Sequence, residues 1–179
     1  MASSEYNCHQ RDSSSNRERA PGVRKMDHLT WRFVAILSAL ISTSALMGAS
    51  FYEESVLDLA WPRRPDIVRP KEGGANRKLF WIPADLIALI CLAAATWAVW
   101  PVAGARTAVL AAVGLYAINI VVSVAYFVPE LLKVERHGAE PDAASSRTWV
   151  RRNRWRGVIF VCITMALSIA LVRLPGTSD

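Results

Sequence analysis

The stretch "LIALICLAAATWAVW" (Leu86–Trp100) holds a single polar side chain, that of Thr96. A surface helix of a soluble protein shows a polar face at every turn. This one shows none, so it suits a helix enclosed by lipid. Three further apolar stretches accompany it: Phe33–Ser50, Thr107–Val128 and Gly157–Val172. A bilayer core of about 30 Å takes roughly 20 apolar helical residues, with about 17 as a floor. The stretch from Thr107 clears that length outright. Phe33–Ser50 and Leu86–Val102 clear it narrowly, and Gly157–Val172 clears it once Trp155 and Leu174 are counted. The hydropathy predicts an all-α integral membrane protein, a four-helix up-down-up-down bundle with both termini on one side. The spans fall at about 33–50, 82–102, 107–128 and 157–174, within a domain of residues 31–174.

Residues 1–30 ("MASSEYNCHQRDSSSNRERAPGVRKMDHLT") are polar and rich in Ser and Arg. They bury too little apolar surface to fold alone, and a disordered tail is expected. An ordinary signal peptide is not expected there, because the apolar stretch begins late. Residues 175–179 form a short C-terminal tail. "PVAGAR" (Pro101–Arg106) is brief enough to make spans two and three an antiparallel hairpin. The helix around "GASFYEESVLDLAWP" is expected to run past the membrane surface until Pro62.

The net charge of +6 and pI near 9.7 would suggest nucleic acid in a soluble protein. Here the arginines flank spans, where anionic headgroups attract them. The expected partner is the lipid bilayer, with no nucleic acid. More Lys and Arg flank the loop side than the terminal side. Read literally, this puts the long loops in the cytoplasm, but arginines engaged in a protein site do not vote, and orientation stays open at this point. Cys8, Cys91 and Cys162 form no C-x-x-C pair, which argues against a disulfide framework, a zinc site or a thiol oxidoreductase. No metal and no cofactor are expected.

A charge at a helix centre costs roughly 2.5–3.5 kcal/mol on insertion scales, so polar residues at membrane depth are candidates for function. Glu53 follows the first apolar stretch, with a pocket and a water-facing position equally open to it. Glu54 and Asp58 are expected to face water, and Asp85 to complement the helix dipole at the start of span two. Asn119 lies deep in span three, where an amide first suggests an interhelical hydrogen bond and second a ligand contact. Tyr116, Asn119 and Ser123, extended by Tyr126 and Glu130, make a polar stripe that should turn into the bundle.

The last span is preceded by Arg151, Arg152, Arg154 and Arg156, interleaved with Asn153 and Trp155. In a helix, Trp149, Asn153 and Arg156 stand at i, i+4 and i+7 on one face. The spacing turns Arg156 inward, while Arg151 and Arg154 snorkel to headgroups. Chain direction puts Glu53, Glu130 and the Trp149–Arg156 face on one membrane side, and Arg156 is expected to pair with Glu53 or Glu130.

The motif Trp149-x-x-x-Asn153-x-x-Arg156 before a last apolar helix resembles the C-terminal signature of the anthrone oxygenase-like family of small four-helix membrane proteins. "GASFYE" (Gly48–Glu53), "FWIP" (Phe80–Pro83) and "YFVPE" (Tyr126–Glu130) are similar to patterns in some members. The resemblance covers roughly residues 30–173. It implies a four-helix membrane fold and, for a few members, oxidation of anthrones to anthraquinones without metal or flavin; most members have no assigned activity. Carried over by position, the matching residues are Glu53, Trp149, Asn153 and Arg156. Members often carry a histidine near that signature, whereas here His9, His28 and His137 lie outside the spans, leaving none as an intramembrane iron or haem ligand.

The expected function is a polar pocket at one membrane face, lined by Glu53, Asn119, Tyr126, Trp149, Asn153 and Arg156, for a small aromatic or lipophilic ligand. In a cofactor-free oxygenation Glu53 would serve as base and Arg156 would stabilise the oxyanion. The alternative is a non-enzymatic structural or accessory membrane protein, whose arginines are anchors and whose inward polar groups fix helix register.

Overall fold

The computed structural model describes residues 21–60, 64, 67, 73, 74, 76–130, 132 and 143–174. Helix α1 (Pro21–Tyr52) continues through a π-helical turn, Glu53–Leu57, into a short last turn, α2 (Asp58–Ala60). Helix α3 (Arg77–Val99) is followed by α4 (Ala103–Val122), which passes through a second π-helical turn, Ser123–Phe127. The last helix, α5, spans Ala143–Val172. Four segments, His28–Ala60, Arg77–Val99, Ala103–Glu130 and Thr148–Val172, are long and apolar enough to cross a membrane. The chain is an all-helical, multi-pass integral membrane protein, with no strand among the described residues.

Lipid offers the backbone no hydrogen-bond partner, so each span satisfies its own. The hydroxyls inside the spans do the same. Thr43, Thr96, Thr164 and Ser168 each donate to a backbone carbonyl three or four residues earlier, which makes them tolerable at membrane depth. Helix association here rests on close packing, because lipid tails are as apolar as leucine. The core is correspondingly rich in small residues: Ala39, Ala88, Ala95, Ala105 and Ala112 lie among Ile36, Leu92, Val109, Ile163 and Leu167. Bulky apolar side chains such as Leu79, Trp97 and Val172 point outward.

Side-chain contacts fix the register. Met47 meets Thr164, Glu54 meets Gly157 and Asp58 meets Asn153, so α1–α2 and α5 run antiparallel. Gly104 lies against Arg173, Tyr116 against Phe160 and Phe127 against Trp149, so α4 and α5 do too. This second register brings Asn119 level with Gly157. The α3–α4 connection is a tight turn in which the Val102 N–H donates to the Val99 carbonyl at 2.8 Å.

Helix bounds differ from the hydropathy reading at their polar ends. The first helix begins at Pro21, inside the expected tail; residues 1–20 and 175–179 lie outside the described residues. The second span begins at Arg77, so Pro83 sits inside α3 and leaves the Leu79 carbonyl without its helical donor. The last helix begins at Ala143 and carries the whole arginine cluster within it. Apolar length marks where a helix lies in lipid, and helices continue beyond it.

Candidate functional site

The first π-helical turn decides where the acids of span one point. In an α-helix residues five apart diverge by ~140°. Here the Asp58 N–H donates to the Glu53 carbonyl, an i→i+5 bond that absorbs one extra residue. Both side chains therefore face the bundle, with Glu53 6% and Asp58 1% exposed. The expectation of a water-facing Asp58 is overturned, because the i→i+5 bond carries it onto the inward face beside Glu53. Such turns recur at functional sites.

Their partners come from α3 and α5. The Trp81 indole N–H donates to Glu53 Oε1 at 2.9 Å. Arg77 Nε lies 3.5 Å from the same oxygen, and Arg77 Nη2 lies 3.8 Å from Asp58 Oδ1. Both Arg77 contacts are ionic without hydrogen-bond geometry. From α5 the Asn153 amide donates to Asp58 Oδ2 at 2.9 Å. Arg77 also stands over the Trp149 ring, 5.5 Å from its centroid, and that ring meets Phe127 edge-on.

Arg156 is inside, 9% exposed. Its guanidinium lies between two rings, 5.0 Å from the Trp81 centroid and 5.2 Å from that of Phe127. A desolvated cation–π contact of this kind is worth about 2 kcal/mol. Arg156 Nη1 donates to Asn153 Oδ1 at 3.3 Å, while Nε has no acceptor. The expected pairing with Glu53 or Glu130 is not what forms. Glu53 is taken by Arg77 and Trp81, and Asn153 stands between Arg156 and Asp58. Arg151, Arg152 and Arg154 are exposed, with Arg152 stacked 4.5 Å over Tyr126.

The second π-helical turn reshapes the stripe on span three. The Val128 N–H donates to the Ser123 carbonyl, and the shift in phase sends Phe127 inward in place of Tyr126. Tyr126 is half-buried beneath Arg152 and meets Phe127 edge-on, with ring centroids 5.1 Å apart. Ser123 spends its hydroxyl on the Asn119 carbonyl. Asn119 itself is 1% exposed, and neither its Nδ2 nor its Oδ1 has a partner. An enclosed amide with both ends unmatched is rare in a native structure.

Two further acids complete the surroundings. Glu54 accepts from the Ser50 hydroxyl at 3.3 Å and packs on Gly157, where an added Cβ would lie 2.7 Å from Oε1. Asp85 sits two turns inside α3 and caps nothing, since the helix starts at Arg77; it accepts from the Tyr116 hydroxyl at 2.8 Å. Glu130 is partly buried at the end of span three.

The cluster encloses polar atoms without hydrogen-bond partners: donors at Arg156 Nε and Asn119 Nδ2 and acceptors at Asp58 Oδ1 and Asn119 Oδ1, with the Arg156 guanidinium seated between the Trp81 and Phe127 rings. No group of His, Cys, Asp and Glu among the described residues has metal-ligand geometry. Arg77 and Trp81 lie before the expected second span at 82–102, and the structure brings both onto the acids of span one. The buried α3 positions Val99, Ala95, Leu92 and Ala88, followed back by helical steps, reach Asp85, Trp81 and Arg77, a face that the uniformly apolar stretch does not mark in the sequence. No family model, no curated protein and no solved structure matches the chain.

Proposed function

We propose that the buried cluster around Arg156 is a binding site for a small, partly apolar aromatic ligand, held through a phenol or ketone oxygen at Arg156. The supporting observation is the guanidinium itself, buried between the rings of Trp81 and Phe127 with no ion pair to a described residue and with Nε unmatched. A buried polar group without a partner is costly, and a ligand oxygen at that point removes the cost. Asn119, at the same level, offers a second donor. Trp149 and Asn153 position the pocket by holding Phe127, Arg77 and Asp58 in place.

The proposed chemistry is removal of a proton from a phenol or acidic C–H by Glu53, with the oxyanion stabilised at Arg156. Both contacts to Glu53 fall on Oε1, leaving Oε2 to take the proton. The resemblance to anthrone oxygenase-like proteins suggests the continuation: dioxygen adds to the carbanion, and loss of water gives the quinone. The rival reading is a structural or accessory protein in which the same polar network only fixes helix register. It draws on the mutual engagement of Glu53, Asp58, Arg77 and Asn153.

Tryptophan fluorescence of the purified chain in lipid nanodiscs, titrated with 1,8-dihydroxyanthrone under nitrogen, separates the two. Saturable quenching that disappears in Arg156→Met, with the unfolding temperature retained, supports the pocket. Admission of oxygen should then give the quinone, with a rate about 10²-fold lower in Glu53→Gln, as for loss of a general base. Absence of saturable quenching in the wild type would leave the register-fixing reading standing.

A further inference from the structure

Helices α3 and α4 share the shortest connection in the chain, yet they are the least extensively packed of the neighbouring long helices. Between them lies a groove of about 1210 Å³. That exceeds the roughly 300–1,000 Å³ of a pocket for a drug-sized ligand. Its walls are apolar, with Leu89 and Ala93 on one side and Val113 and Ala117 on the other. Trp97 and Trp100 stand at the hairpin end. At the opposite end stand Asp85 and Tyr116, joined by their 2.8 Å hydrogen bond. From Asp85 to Trp100 the helical rise is about 22 Å.

The polar end lies beside the buried cluster around Arg156. Tyr116 forms a wall of the groove, and its ring packs edge-on against Phe160 of α5, one helical turn beyond Arg156. A molecule lying in the groove with its oxygen at Arg156 has a polar ring at one end and a long hydrocarbon at the other. A phospholipid of the hairpin-side leaflet would lie reversed, with its headgroup at Trp100, whereas one of the opposite leaflet shares the ligand's orientation and lacks its ring at Arg156.

We infer that the α3–α4 groove holds the hydrocarbon chain of the ligand whose oxygen sits at Arg156, which makes the ligand class a long-chain alkyl or prenyl phenol. Such a molecule is dissolved in the bilayer and passes sideways between α3 and α4, without leaving lipid. The inference rests on the pocket reading above and adds to it the chain and the route.

The test uses the full chain in phosphatidylcholine nanodiscs and 4-tetradecylphenol carrying a diazirine at its chain terminus. After photolysis, peptide mapping locates the label. The expected result is labelling concentrated on α3 and α4 groove residues, suppressed by excess 4-ethylphenol and lost in Ala117→Trp. Ala93→Trp, which fills the groove from the other wall, should give the same loss if Ala117→Trp does not fold. A phosphatidylcholine with a diazirine at its acyl terminus is the control. Groove labelling that is equal with this lipid and indifferent to 4-ethylphenol, or labelling spread evenly over the lipid-facing helices, would overturn the inference. Saturable fluorescence change with 4-ethylphenol alongside an unlabelled groove would sink the chain site and spare the pocket; absence of any response to 4-ethylphenol would sink both.

Discussion

Asn153 donates its side-chain amide to Asp58 Oδ2 at 2.9 Å, and both residues are fully enclosed. This bond ties the last helix to the end of the first at the level of the pocket. It also holds Asn153 so that its other end, Oδ1, meets Arg156. Replacing Asn153 by Leu leaves Asp58 Oδ2 without its donor inside the bundle. The expected loss is about 1–3 kcal/mol, the penalty for stranding a buried acceptor. Reversible unfolding of the purified protein measures it. The loss in the double variant Asp58→Leu/Asn153→Leu should be smaller than the sum of the two single losses, because either single change already breaks the shared bond, while Arg77 and Arg156 still lose a partner. Additive losses in the double variant would show that the two residues act separately.

The π-helical turn at Glu53–Leu57 makes an unusual claim about deletions. Its extra residue is absorbed by the Asp58 N–H to Glu53 carbonyl bond, so Asp58 occupies the place of an i+4 residue. Removing the exposed Ser55 should convert the turn to regular α-helix while Glu53 and Asp58 keep their shared face. Thermal stability and ligand quenching are expected to survive that deletion. Removing the equally exposed Ala45 from the regular part of α1 shifts every earlier residue by ~100° and should abolish folding. Equal damage from the two deletions would refute the phase argument.

Gly157 lets α1 and α5 approach closely. A Cβ there would come within 2.7 Å of Glu54 Oε1, a contact that must be relieved. The obstacle is the end of a flexible side chain, so Gly157→Ala should cost about 1 kcal/mol, the low end of the range for overpacking. In a Glu54→Ala background the same change should cost almost nothing. A double-mutant cycle on unfolding free energy reads this coupling, and a null interaction term would mean that backbone contact, not Glu54, limits the approach.

The spans were legible because lipid imposes a simple demand: about 17 or more apolar residues in a row. The face carrying Trp149, Asn153 and Arg156 was legible for a similar reason, since α5 is regular and its spacing translates directly into direction. Where phase is broken, sequence periodicity misleads. Asp58 faces the bundle because the first π-helical turn, which leaves no mark on a 3.6-residue pattern, carries it onto the face of Glu53. Arg77 was missed for a different reason. A hydropathy window ends where charge begins, while helix α3 continues through "RKLFW" and turns that charge inward onto Glu53 and Asp58. Polar residues paired across helices compensate each other in space, and no scan along one chain segment sees the partner.

Asn119 separates the two meanings of a buried polar group. As a brace between helices, its amide would be hydrogen-bonded, and an apolar substitute would weaken the bundle by about 0.6 kcal/mol or more. Its Nδ2 and Oδ1 are instead both unmatched at 1% exposure. Removing an unsatisfied polar group in favour of an apolar one of similar shape is neutral or stabilising. Asn119→Leu is therefore expected to raise unfolding stability by about 1 kcal/mol and to weaken anthrone binding by roughly tenfold, equivalent to one lost hydrogen bond of about 1.4 kcal/mol. Stability gained at the expense of binding is the signature of a residue kept for a ligand. If Asn119→Leu destabilises the protein and leaves fluorescence quenching unchanged, the amide is a brace, and the ligand oxygen rests on Arg156 alone.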